Sequence, residues 1–144
     1  MTHHDRGHYS KKHSSDRKID PKITEAAKDR ASNRKLPCAT AFTIVDDLQV
    51  SPAEVGFIID VLEFRLIKCQ LGIFGYSPKK KIIKPADSVA SSLEEAIKEE
   101  LKNDRLSCAG AWEIAKRLGL RKMEVSAACE TLKIKISTCQ LGAF

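Results

Sequence analysis

Aromatic side chains are scarce in this chain: they make up 6% of 144 residues, and there is a single tryptophan. A core built from such a sequence is aliphatic and thin. Histidine occurs only at His3, His4, His8 and His13, so the rest of the chain has no imidazole to act as a general base. There is no Gly-rich phosphate loop and no paired-histidine metalloprotease motif. An enzyme is therefore not expected. No apolar run approaches the ~20 residues that a membrane span needs, and the polar first residues lack the apolar segment of a secretory signal. The expectation is a cytoplasmic protein without membrane contact, whose five cysteines are thiols rather than structural disulfides.

What is present is a duplication. Shifted by 70 positions, residues 36–74 fall on 106–144 without a gap, and 14 of the 39 pairs are identical. They include Leu36/Leu106, Cys38/Cys108, Ala41/Ala111, Ile44/Ile114, Val55/Val125 and the closing Cys-Gln-Leu-Gly of 69–72 and 139–142. The match extends upstream through Glu25/Glu95, Lys28/Lys98 and Asn33/Asn103, giving a unit of about 52 residues.

Each unit reads as three helices and a short strand. The first helix is expected from Asp20-Pro21, a cap followed by proline, to about Ser32. In the second copy Ser92 and Glu95 have capping-box spacing. The second helices cover about 108–118 and its counterpart, burying Ala111, Trp112, Ile114, Ala115 and Leu118. The third helices run from Lys122 to about Lys133, and from Pro52 behind a Ser51 cap, burying Val125, Ala128, Cys129 and Leu132 in the second copy. After them the apolar period becomes two, with Ile134 and Ile136, or Phe64 and Leu66, on one face of a strand. The fold expected is mainly α, two tandem three-helix units each ending in a short strand. Residues 1–19 form a disordered basic tail, 20–75 the first repeat, 76–91 a basic linker, and 92–144 the second repeat.

Charge is uneven. Residues 1–35 carry +5 (10 basic, 5 acidic), 36–75 carry −3 (2 and 5), 76–92 carry +3 (4 and 1) and 93–144 carry +1 (9 and 8). Tail and linker thus suit a polyanion, and the same composition suits ordinary solvated segments. With Met1 removed, His4 becomes the third residue from a free amine, an arrangement that chelates Cu(II) or Ni(II); a flexible tail has the same composition.

The segment Ala111 to Leu132, AWEIAKRLGLRKMEVSAACETL, resembles the helix-turn-helix motif of bacterial DNA-binding proteins. Small Ala115 stands where the helices cross, Gly119 in the turn and Val125 in the second helix. The preceding helix and following strand make the winged version the nearest match. The resemblance implies that the third helix enters the major groove. Its DNA contacts would be Arg121, Lys122, Ser126 and Lys133, with Lys116 and Arg117 near phosphates and Glu130 opposing them. The first copy departs from the pattern, with Val45 and Gln49 at the crossing and turn and Asp46, Asp47, Phe57, Asp60 and Glu63 expected outside. That surface would repel DNA and suit a protein.

Cys38/Cys69 and Cys108/Cys139 recur at matching positions, each pair 31 residues apart, the first of each at a helix N-terminus that favours a thiolate. Two readings stand: a four-thiolate site for zinc or an iron–sulfur cluster, or a redox dithiol in each copy, against small apolar filling. The absence of a C-x2-C pair favours the second and no cofactor. The function expected is DNA binding and transcription regulation through the second repeat. The alternative is a protein-interaction module, possibly thiol- or metal-responsive, whose third-helix strands pair across a pseudo-two-fold axis.

Overall fold

The computed structural model describes residues 18–144. The histidine-bearing tail and its metal reading lie outside the described residues. The fold is mainly α: among the described residues there are six helices and four strands of three residues each. The chain forms two compact units, each with the order helix, strand, helix, helix, strand.

In the first unit, α1 (Pro21–Arg30) starts as expected, the Asp20 carboxylate accepting the Lys22 N–H at 2.8 Å. It ends before Ser32 because the chain reverses through Asn33 and Arg34, both at positive φ (51° and 62°). Ser32 and Lys35 exchange two backbone hydrogen bonds of 2.9 Å across this two-residue turn. Such a turn needs positive φ at both central positions, which asparagine tolerates. The turn delivers β1 (Lys35–Pro37), a strand the apolar pattern did not reveal, into α2 (Cys38–Leu48). Then come α3 (Pro52–Val61), capped by the Ser51 hydroxyl on the Glu54 N–H, and β2 (Arg65–Ile67).

The second unit repeats this with α4 (Ser91–Glu100), an Asn103-Asp104 turn (φ 52° and 61°), β3 (Arg105–Ser107), α5 (Cys108–Leu118), α6 (Lys122–Leu132) and β4 (Lys135–Ser137). The expected Ser92–Glu95 capping box does not form. The Ala90 carbonyl already accepts the Leu93 and Glu94 N–H groups at 3.1 and 3.0 Å, which starts α4 earlier and places Ser92 inside its first turn.

The strands that follow the third helices do not pair with each other. Each runs parallel to the strand before the second helix of its own unit, Leu36 opposite Leu66 and Leu106 opposite Ile136. Both turns between second and third helices are left-handed, at Gly119 (φ 69°) and equally at Gln49 (φ 53°), where the side-chain amide donates to the Asp46 carbonyl at 2.7 Å. The missing glycine of the first copy therefore does not change its turn.

Ile23, Leu36, Ala41, Ile44, Val55, Ile58 and Ile59 form the first core; Ile97, Leu106, Ala111, Ile114, Val125, Ala128 and Cys129 form the second, all at 1% exposure or less. Several expected placements change, and Trp112 and Leu132 are only half-buried. Leu118, at the end of α5, is 36% exposed, while Phe57 and Asp60, expected outside, are 4% and 7% exposed. Both belong to a run of α3 that is buried continuously from Val55 to Asp60.

The units do not follow the repeat end to end. Gln140–Phe144, which succeeds β4, belongs to the compact unit of α1–α3, and Gln70–Phe74, which succeeds β2, belongs to that of α4–α6. In the first unit the Leu141 carbonyl lies so close to Gly56 that a Cβ there would stand 2.0 Å from its oxygen. Gly56→Ala is expected to reveal this seat by its sign. Helix propensity alone would stabilise by roughly 0.5–1 kcal/mol, but displacing buried Leu141 costs ~1–3 kcal/mol. Thermal melts followed by circular dichroism should show a lower midpoint; a raised one would mean that Leu141 does not rest there. At the exposed left-handed position, Gln49→Gly should raise stability by up to ~1 kcal/mol.

Candidate nucleic-acid interface

The second unit, residues 70–139, holds all six residues expected to meet DNA and carries a net charge of +4 (13 basic, 9 acidic). Lys116 and Arg117 lie in the last turn of α5, where cations complement the helix dipole. Both are exposed, as is Lys133, which closes α6 at positive φ (58°). Among the described residues none of these three is in an ion pair.

The other three are engaged or hidden. Arg121 is exposed, but its Nε donates to Glu124 at 2.9 Å. Lys122 lays its ammonium over the Trp112 ring, 4.2 Å from the centroid, and reaches Gln70 Oε1 at 3.4 Å. Trp112, expected to face inward, is only half-buried on α5, and its ring carries the lysine ammonium. Ser126 is 1% exposed and faces a cavity of about 350 Å³ with Ile73, Lys81, Cys129 and Glu130. It cannot reach a base edge, because it occupies the small-residue position that Gly56 holds in the first copy.

Residues 70–86 lie against α6 near this position, Ile73 and Lys81 lining the same cavity. The Gly72 carbonyl accepts the Ile82 and Ile83 N–H groups at 2.9 and 3.1 Å, which folds the stretch back on itself. Ala86 then receives the Thr131 hydroxyl on its carbonyl at 2.6 Å, while its own N–H donates to the Ala127 carbonyl at 3.2 Å. Lys81 pairs with Glu130, removing the acid that would oppose phosphate. Within α6 only Thr131 is exposed. The basic stretch expected to be a solvated linker keeps Lys79, Lys80, Lys81 and Lys84 exposed and is attached to this helix at Lys81 and Ala86.

The four recurring cysteines separate by unit. Cys38 and Cys108 are the first residues of α2 and α5, at 6% and 5% exposure; Cys69 is 4% exposed and Cys139 half-exposed. Register puts Cys38 directly after the Pro37–Ile67 pair and Cys69 two residues beyond it, so each unit has its own pair at the end of its ladder. Among the described residues no group of three or more His, Cys, Asp or Glu is placed to hold a metal ion, and no disulfide forms.

Sequence reasoning passed over one set of cations. Lys35 is the register partner of Arg65, and Arg105 of Lys135, all four exposed. The available signal was that positive charge recurs at these positions across the 70-residue shift.

Burial, followed by the neighbouring Glu130 charge, pushes the Cys129 thiol up to about 12 from 9.0. The thiol is neutral in both folded and unfolded chains below pH 9; between 9 and 12 the unfolded chain ionises while the folded one does not. Stability should therefore fall as pH rises through that window, and Cys129→Ala should lessen the fall in urea titrations. At pH 8, alkylation of the folded protein should reach half-exposed Cys139 well before Cys129, as read by peptide mass spectrometry. No protein-family model, no curated protein and no solved structure matches the chain.

Proposed function

We propose that the chain is a DNA-binding protein in which α2–α3 and α5–α6 are tandem helix-turn-helix units. In this reading the second unit grips the phosphate backbone rather than inserting α6 into the major groove. The observation that carries it is the set of exposed, unpaired cations Lys116, Arg117 and Lys133 around an α6 on which only Thr131 is exposed. Phosphate contacts fix position and supply most of the non-specific affinity. Arg121 joins them when it leaves Glu124, an exposed pair worth little. Such binding suits a transcriptional regulator that recognises DNA by shape and charge.

A protein-interaction module is the second reading. It is favoured by an apolar groove of about 380 Å³ in the second unit, lined by Leu93, Leu118, Leu120, Ala127 and Ala128. Exposed Leu118 is the side chain a partner would cover.

Fluorescence anisotropy with a mixed-sequence duplex, titrated at several salt concentrations, separates the two. Lys116→Ala/Arg117→Ala should weaken binding and flatten the salt slope by about one unit for each phosphate the protein no longer neutralises. Arg121→Ala should change it less. Binding that survives the double substitution but disappears with residues 1–17 would assign it to the tail. Absence of binding at low salt would leave the protein-interaction reading.

A further inference from the structure

The two-stranded ladders carry a charge arrangement that their packing does not explain. In each, two cations stand directly opposite on an exposed face: Lys35 against Arg65, and Arg105 against Lys135. Neighbouring strands lie about 4.8 Å apart, and like charges directly opposite destabilise a strand pair. Among the described residues none of the four is in an ion pair that would relieve the repulsion.

The arrangement survived duplication. Within 23–74 there are six cations, and only three meet a cation in the second copy: Lys28/Lys98, Lys35/Arg105 and Arg65/Lys135. Two of the three are the ladder positions, and Lys98 is already bonded to Glu94 at 3.5 Å.

The adjoining residues show compensation. Arg34 precedes Lys35, and Asp104 stands in its place in the second unit; Glu63 lies two residues before Arg65, and Lys133 stands in its place. Both are at positive φ in both copies, Arg34 62°, Asp104 61°, Glu63 56° and Lys133 58°. Each ladder therefore has three cations and one acid at these four positions. The acid changed sides while the excess stayed, although residues 36–75 as a whole are net negative.

We propose that each cation pair, Lys35/Arg65 and Arg105/Lys135, is a seat for one phosphate of a nucleic-acid backbone. The protein then has two equivalent phosphate seats, one in each unit. This rests on the DNA-binding reading and extends it, since it gives the first unit a share in binding that its acidic composition seemed to deny. The partner chemistry is a phosphodiester: a single negative charge per group that two cations opposite each other neutralise together. Lys and Arg interchange freely between the copies, as expected for charge neutralisation rather than bidentate base recognition.

The test uses the full chain and a mixed-sequence DNA duplex in salt-titrated anisotropy. Three variants are compared with wild type: Lys35→Gln/Arg65→Gln, Arg105→Gln/Lys135→Gln, and Lys28→Gln/Lys98→Gln as a charge-matched control. Each ladder variant should lower the salt slope by about one unit, and combining them should lower it by about two, while the control leaves the slope unchanged. Thermal midpoints of the ladder variants should be unchanged or higher, because a repulsion is removed; a purely structural role would lower them. Ladder variants that bind with the wild-type slope overturn the phosphate seats and leave the DNA reading intact. If wild type itself fails to bind at low salt, both fall.

Discussion

Each unit depends on a parallel ladder three residue pairs long. Parallel strands cannot be joined by a tight turn and need a long crossover. Here the crossover from β1 to β2 is the helix pair α2–α3, and that from β3 to β4 is α5–α6. The ladder thus ties the entrance of the second helix to the exit of the third. Its middle pair sits on the core, with Leu36 and Leu106 wholly buried. Its outer end points the cations to solvent, and its inner end leads directly into Cys38 and Cys108. A two-residue turn with both residues at positive φ aims the first strand, so the repeated asparagines Asn33 and Asn103 determine where everything after them starts.

That closure leaves the third helix with its remaining sides to cover. In the first unit α3 is buried from Val55 to Asp60, with Leu141 against Gly56. In the second, residues 70–86 take the outward face of α6 through backbone and hydroxyl hydrogen bonds, the Lys81–Glu130 pair and the Lys122–Trp112 stack. A helix dressed this way is a structural member. Displacing these contacts would expose several polar groups and a cavity lining together, so in the proposed DNA-binding reading phosphate contact demands less rearrangement than groove insertion.

Much of this order is legible in the sequence, and the gaps have physical causes. Proline behind a capping aspartate or serine located α1 and α3, because those signals act within one turn. The three-residue strands β1 and β3 were hidden because they are too short to display a period of two. Asn33 and Asn103 were visible as a repeat but not as a turn, since neither is followed by glycine. The basic stretch looked like a solvated linker from its lysines and prolines; its attachment runs through backbone groups of Gly72 and Ala86, which composition cannot register. The placement of the closing segments was unreadable for a stronger reason. Cys-Gln-Leu-Gly is identical in both copies, so either segment offers either unit the same packing partners.

The comparison of the two copies also separates two kinds of constraint. At several buried positions identity recurs, as in Leu36/Leu106, Cys38/Cys108, Ala41/Ala111 and Ile44/Ile114, all at most 6% exposed, while other buried pairs change size, Ile58 becoming Ala128 and Ile59 becoming Cys129, all at 1%. Close packing couples a buried side chain to its surroundings, so a pair that changes size needs neighbours that change with it, and a small thiol against helix and strand obeys the same rule as alanine. On the exposed ladder positions identity is lost, Lys35 becoming Arg105 and Arg65 becoming Lys135, while the sign persists. Packing does not demand that pattern, because all four side chains are exposed. Intramolecular electrostatics cannot produce it either, since opposing like charges raise the energy of the folded state. Persistence of sign without shape is what the proposed phosphate contact would require, since neutralisation is met by attraction rather than by fit.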